Sequence, residues 1–118
     1  MDRLTEFVGP FPLDTDTIRS VVTRTESPGN YVLGAASDEP FRIAYVGRSD
    51  TSLCRDLVEL EHKTGCRSFQ FRYAASSKEA FEVECALFHN LRQSITNTIH
   101  PQPPSGSSLR CPLCKVLF

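Results

Sequence analysis

GNYVLGAASDEPFRIAYVGRS, residues 29–49, decides how the chain is built. Residues 31–37 (YVLGAAS) are short and apolar, SDEP (37–40) carries loop residues, and FRIAYVGRS (41–49) is apolar again. Two strands joined by a hairpin-like loop are predicted. Downstream, DTSLCRDLVELEHKTG (50–65) reads as a helix. Asp50 or Thr51 caps it, Leu53, Leu57 and Leu60 form its buried line, and Gly65 stops it. RSFQFRYAA (67–75) alternates Phe69, Phe71 and Tyr73 against Ser68, Gln70 and Arg72, the pattern of a half-buried strand. SSKEAFEVECALFHNL (76–91) opens with Ser76 and Glu79 in capping-box spacing and continues as a second helix. The order β-β-α-β-α predicts an α+β fold: a small three-stranded, mainly antiparallel sheet flanked by helices.

Upstream and downstream of this unit the chain looks different. Residues 1–27 read as a peripheral extension, with Asp14 or Thr15 capping a short helix that carries Ile18, Val21 and Val22. Residues 28–97 form the predicted domain. Residues 98–118 are rich in Pro, Gly and Ser and read as an irregular tail. No internal repeat is evident.

Composition narrows the possible roles. The 118 residues suit one domain with a modest core, and 40% hydrophobic with 23% charged residues is ordinary for a soluble globular protein. No apolar run reaches the ~20 residues a membrane helix needs, and no secretory apolar region stands at the N-terminus. With a formal net charge of −1, any basic surface must be local. Five clustered cysteines do not resemble a secreted disulfide framework. They point to an intracellular, reducing compartment, cytoplasmic or nuclear.

Chemistry concentrates at a few positions. On a helix at ~100° per residue, Ala80, Phe81, Val83, Leu87, Phe88 and Leu91 share one side while Glu79 and Glu82 take the other. Glu84 falls near the middle of the apolar stripe, where a carboxylate must be neutralised, paired or bound to a metal. Tyr31 and Tyr45 occupy corresponding strands. Gly47 allows close approach to the backbone, and Arg48, Arg55 and His62 lie nearby in sequence. Phenols, guanidinium, imidazole and a half-buried carboxylate are the groups that phosphodiester hydrolysis uses. A single Glu can hold one hard dication, Mg²⁺ or Mn²⁺. Arg can steady charge growing on phosphoryl oxygens, and a tyrosine can relay a proton.

These residues resemble the GIY-YIG nuclease superfamily. GNY (29–31) stands for the first signature triad and YVG (45–47) for the second, and the likeness runs from about Pro28 to Asn97. EAFEVECALF resembles the family's metal-binding helix, with Glu84 at the place of its single catalytic glutamate; Asn97 matches an asparagine that often follows it. The resemblance implies a one-metal endonuclease acting on DNA, or on RNA, with Tyr31 and Tyr45 in general-base and positioning roles. Specificity would come from the module itself, a homodimer or a protein partner. In the family an arginine directly precedes a leucine on the intervening helix. Here the match is Arg55 counting from Gly47, or Asp56 counting back from Leu57. The histidine one turn later is replaced by Glu59, with His62 further along. The alternative is a catalytically inactive GIY-YIG-like regulator that binds nucleic acid or protein.

The tail adds a separate feature. CPLC (111–114) is half of a zinc knuckle, strong only with a second pair. Candidate partners for Cys111 and Cys114 are His100 and the His62–Cys66 pair, and a closed structural zinc site would fasten the tail. A zinc-stabilised interaction module with structural tyrosines is a third reading. Cys54 and Cys85 suit small core positions.

Overall fold

A computed structural model describes residues 6–34 and 41–114. The loop expected at residues 37–40 lies outside them, as do residues 35–37 of the strand expected at 31–37. Seven elements follow in order: β1 (Val8–Pro12), α1 (Thr15–Val21), β2 (Gly29–Gly34), β3 (Ile43–Ser49), α2 (Leu53–Glu61), β4 (Ser68–Tyr73) and α3 (Ser77–Leu91). The α+β class and the β-β-α-β-α order of the central unit agree with the sequence. The strand count does not. The sheet is four-stranded and antiparallel, in the order β1-β4-β2-β3.

The extra strand is β1, from the segment expected to be peripheral. It pairs with β4, setting Phe11 against Phe69, while Leu13, Ile18 and Val22 enter the core. Residues 6–27 are therefore part of the folded unit.

Side-chain alternation sorts the sheet into two faces. On one face, Tyr31, Leu33, Phe69 and Phe71 pack with Ile18 of α1 and Leu53 and Leu57 of α2. On the other, Val32 and Val46 pack with Val83, Leu87 and Phe88 of α3. Helices thus cover both faces, and β4 is not the half-buried strand its alternation predicts: Ser68 and Arg72 are buried too. Arg72 is held there by Asn30 (2.9 Å), Glu79 (3.1 Å) and Glu6 (3.0 Å). Asn30 in turn donates to the Ala80 carbonyl at 2.8 Å, tying β2 to α3.

Side chains start each helix. Asp14 accepts the Thr17 amide at 2.8 Å, Ser76 accepts that of Glu79 at 3.1 Å, and Ser52, rather than Asp50 or Thr51, accepts that of Arg55. α2 ends at Glu61, with His62 as its C-cap, before Gly65 is reached.

Candidate functional site

β3 is an edge strand, and the site forms around its edge. Residues Thr96 and Asn97 dock there after α3 has turned back. Thr96 N–H donates to the Ala44 carbonyl at 2.7 Å. The Asn97 side chain accepts from the Val46 amide at 3.0 Å and donates to the Val46 carbonyl at 2.8 Å. Asn97 acts as a substitute strand residue that fixes β3, a positioning role.

Tyr31 lies opposite Gly47 in the β2–β3 register, and Tyr45 is opposite Leu33. The two phenols are nearly parallel, 6.4 Å apart with 9° between their planes. Glycine is required at 47 because a Cβ there would fall on the Tyr31 hydroxyl and ring. The close approach that the sequence anticipates is made by Tyr31 itself.

From the opposite face, Arg48 and Glu84 reach the same cavity. It encloses about 370 Å³ and is lined by Tyr31, Tyr45, Gly47, Arg48, Asp50, Thr51, Asp56, Glu84 and Gln102. The Glu84 side chain is only 12% exposed, and its Oε1 accepts from Arg48 Nη1 at 2.7 Å. Arg48 also donates through Nε to Asp50 at 2.7 Å and lies over the Phe81 ring at 5.2 Å.

Arg55 is not among these residues. Its side chain is 61% exposed and bonded to Thr51 (2.7 Å) and Asp56 (3.3 Å). It borders a different groove, with Arg19 and Thr25. The lining residue on α2 is Asp56, so the count back from Leu57 gives the pocket-facing position. One residue of register is ~100° of helix, enough to exchange a cation for an anion. His62 is exposed at the end of α2 and does not line the pocket.

Burial governs the protonation of the site. It pushes the Tyr31 phenol well above its usual range, and the charges of Tyr45, Glu84 and Asp56 add to the rise while Arg48 opposes it. Tyr45 moves up for the same first reason, then through Glu84. At neutral pH both are therefore phenols that donate or relay a proton, and Tyr31 is no phenolate base. Burial also raises Glu84, against the pull of its bond to Arg48. Arg48 loses to burial but gains more from Asp50 and Glu84, and ends raised. The ion pair holds, yet Glu84 has lost more water than one guanidinium replaces.

A second constellation lies at the far end of α3. His89, His100, Cys111 and Cys114 each place a ligand atom within 4.8 Å of the others and can bind a metal such as zinc. His89 has joined Cys111, Cys114 and His100; His62 and Cys66 have not. Cys66 packs with the core on the α1–α2 face, away from α3, and burial raises its thiol. His89 gives a sequence signal only in hindsight: ten residues separate it from His100, and ten separate His100 from Cys111. At Cys111, burial favours the thiol, but amides of Cys114 and Leu113 pointing at its sulfur prevail and lower its pKa.

No family model, curated protein or solved structure gives a significant match to this chain. Among the described residues no helix is long and apolar enough to cross a membrane.

Proposed function

We propose that the pocket at the β3 edge is the active site of a metal-dependent endonuclease of the GIY-YIG type, acting on DNA or RNA. One observation carries the reading: two stacked phenols and a buried, singly paired carboxylate meet in one cavity from opposite faces of the sheet.

The lining suits a hard dication. One cation, Arg48, faces three carboxylates, Asp50, Asp56 and Glu84. Ionised, they sum to −2, which would repel a bare phosphodiester and attract Mg²⁺ or Mn²⁺. Arg48 takes Glu84 Oε1 and leaves Oε2 for a metal. A bound dication would polarise a phosphoryl oxygen and acidify water. The chain's own groups divide the remaining work. Tyr45, the less buried phenol, relays a proton from attacking water. Tyr31 donates its O–H to hold water or phosphate in line. Arg48 supplies positive charge beside the phosphoryl oxygens. Zinc, bound through His89 five residues along α3 from Glu84, would serve structure only.

A plasmid-nicking assay with Mg²⁺ or Mn²⁺, repeated on a single-stranded RNA, tests the reading. Metal-dependent cleavage by wild type and its loss by about 100-fold or more in Glu84→Ala is the expected result. Clean wild-type protein that never cleaves either substrate overturns it. The inactive, nucleic-acid-binding reading has its own support, since Asp56 stands where the resemblance implies a catalytic arginine. Cleavage that appears only in Asp56→Arg would favour that second reading.

A further inference from the structure

We propose that His89, His100, Cys111 and Cys114 form a closed zinc site whose occupancy straps residues 98–114 across α3 and sets Gln102 at the rim of the phenol–carboxylate pocket. The site itself is independent of the nuclease reading; only the significance of Gln102 rests on it.

Distances come first. His89 Nε2 is 3.2 Å from His100 Nε2, 3.4 Å from Cys111 Sγ and 3.2 Å from Cys114 Sγ, and Cys114 Sγ is 3.1 Å from His100 Nε2. A tetrahedral ion with Zn–N near 2.05 Å and Zn–S near 2.3 Å needs ligand separations of roughly 3.3–3.8 Å. Four of the six separations lie within about 0.5 Å of those values, and no ligand atom is more than 4.8 Å from another.

Protonation comes next. A lone imidazole nitrogen is either one donor or one acceptor. His89 Nε2 faces three polar atoms at once and can satisfy only one of them by hydrogen bonding. A shared cation satisfies all four ligands together. The His100 tautomer is also fixed suitably: its Nδ1 lies 2.8 Å from the Pro101 carbonyl, so Nδ1–H donates there and the Nε2 lone pair faces the cluster. Pro112 and Leu113 form a turn between the two cysteines, which brings both sulfurs to His89 Nε2. Phe88 meets both imidazoles edge-on, 5.9 Å from His89 and 5.4 Å from His100, and holds their planes.

The fold needs such a fastener. Residues 98–114 contain no strand or α-helix. Their anchorage is Cys111, with Leu109 and Cys114 beside it, against Phe81 and Cys85, together with the buried Pro101 and Pro104. Yet this segment carries Gln102 between two cavities, the pocket already described and one of about 510 Å³ bordered by Phe81, His100 and Arg110. His100 is two residues from Gln102, so a ligand bond to one fixes the other.

Metal analysis of the full chain, purified under reducing conditions and re-equilibrated with zinc, tests the site. About one zinc per chain is expected, retained in His62→Ala and Cys66→Ser and lost in His89→Ala and Cys114→Ser. Less than about half an equivalent in wild type, or loss in Cys66→Ser with retention in His89→Ala, overturns it. Should the ligand variants not fold, cobalt substitution of wild type decides. Strong visible bands of tetrahedral cobalt with thiolate charge transfer support the site, and a weak octahedral spectrum refutes it. For the strap, chelation should raise amide exchange across 98–114, Gln102 included, by about ten-fold or more; unchanged exchange refutes that part. Zinc content needs no cleavage assay, so a chain that binds zinc but cuts nothing sinks the nuclease reading alone.

Discussion

The pocket at the β3 edge and the cluster at the end of α3 are both sets of polar side chains collected by the same helix, and they differ in what they lack. In the pocket, Arg48 already answers Glu84 and Asp50, and the phenols stack on each other. Arg48, Asp50 and Glu84 are paired there before any ion arrives. In the cluster, one imidazole nitrogen meets three neighbours that hydrogen bonding cannot all satisfy. On the reading proposed above, the cluster needs its metal to hold residues 98–114, whereas the pocket keeps its ion pairs without one.

The largest expected effect therefore falls on the cluster. Free zinc at ~1,000 times its dissociation constant adds about 4 kcal/mol. At roughly 4 °C per kcal/mol, stripping it should lower the melting temperature by about 15 °C. Mg²⁺ added to zinc-loaded protein should move it far less, because Arg48 already pairs Glu84 and Asp50 without it. Calorimetry with a zinc chelator, then with magnesium, measures both. Equal shifts would erase the contrast between the two regions.

A subtler effect belongs to Glu84. Burial raises its folded pKa above the unfolded value of ~4.3. The unfolded chain then releases the proton first, so in that window the native state binds more protons and stability falls as pH rises. Glu84→Gln removes this titration. Wild-type stability minus that of the variant should be greatest below about pH 4.3, fall as pH rises through the folded pKa, and then level off. Urea titrations across the acid range provide the comparison. A difference that grows with pH would mean that Arg48 over-compensates burial and that the carboxylate is held as tightly as a structural ligand.

The same contrast bears on what could be read from sequence. α2, β4 and α3 were legible from their periods, and β2 and β3 from short apolar runs on either side of a loop; the GIY-YIG resemblance then drew Tyr31, Tyr45 and Glu84 together. β1 was hidden by GPFP, where two prolines argue against a strand; an edge strand, with amides it need not pair, tolerates them. Arg72 looked like the exposed side of an alternating strand. Its burial depends on Asn30, 42 residues away, and no local pattern encodes that. His89 drew no reading from the sequence, while His62 and Cys66 offered a tempting local spacing. The sheet decides between them, since Cys66 packs on the α1–α2 face and the cluster gathers around α3.

The smallest expected effect is also the sharpest check on register. Arg55 projects into solvent and, among the described residues, its side chain bonds only to Thr51 and Asp56. Exposed pairs of this kind contribute ~0.2–1 kcal/mol. Arg55→Ala should therefore change stability by no more than about 0.5 kcal/mol and leave metal-dependent cleavage within about two-fold. Arg48→Ala, one strand away, should abolish cleavage, since it removes the guanidinium that faces Glu84 in the pocket. On the nuclease reading proposed above, a steady-state comparison of the two variants decides which arginine would serve the phosphate. If Arg55→Ala loses activity while Arg48→Ala keeps it, α2 must turn by about one residue when substrate binds, and the pocket as folded is not yet the working one.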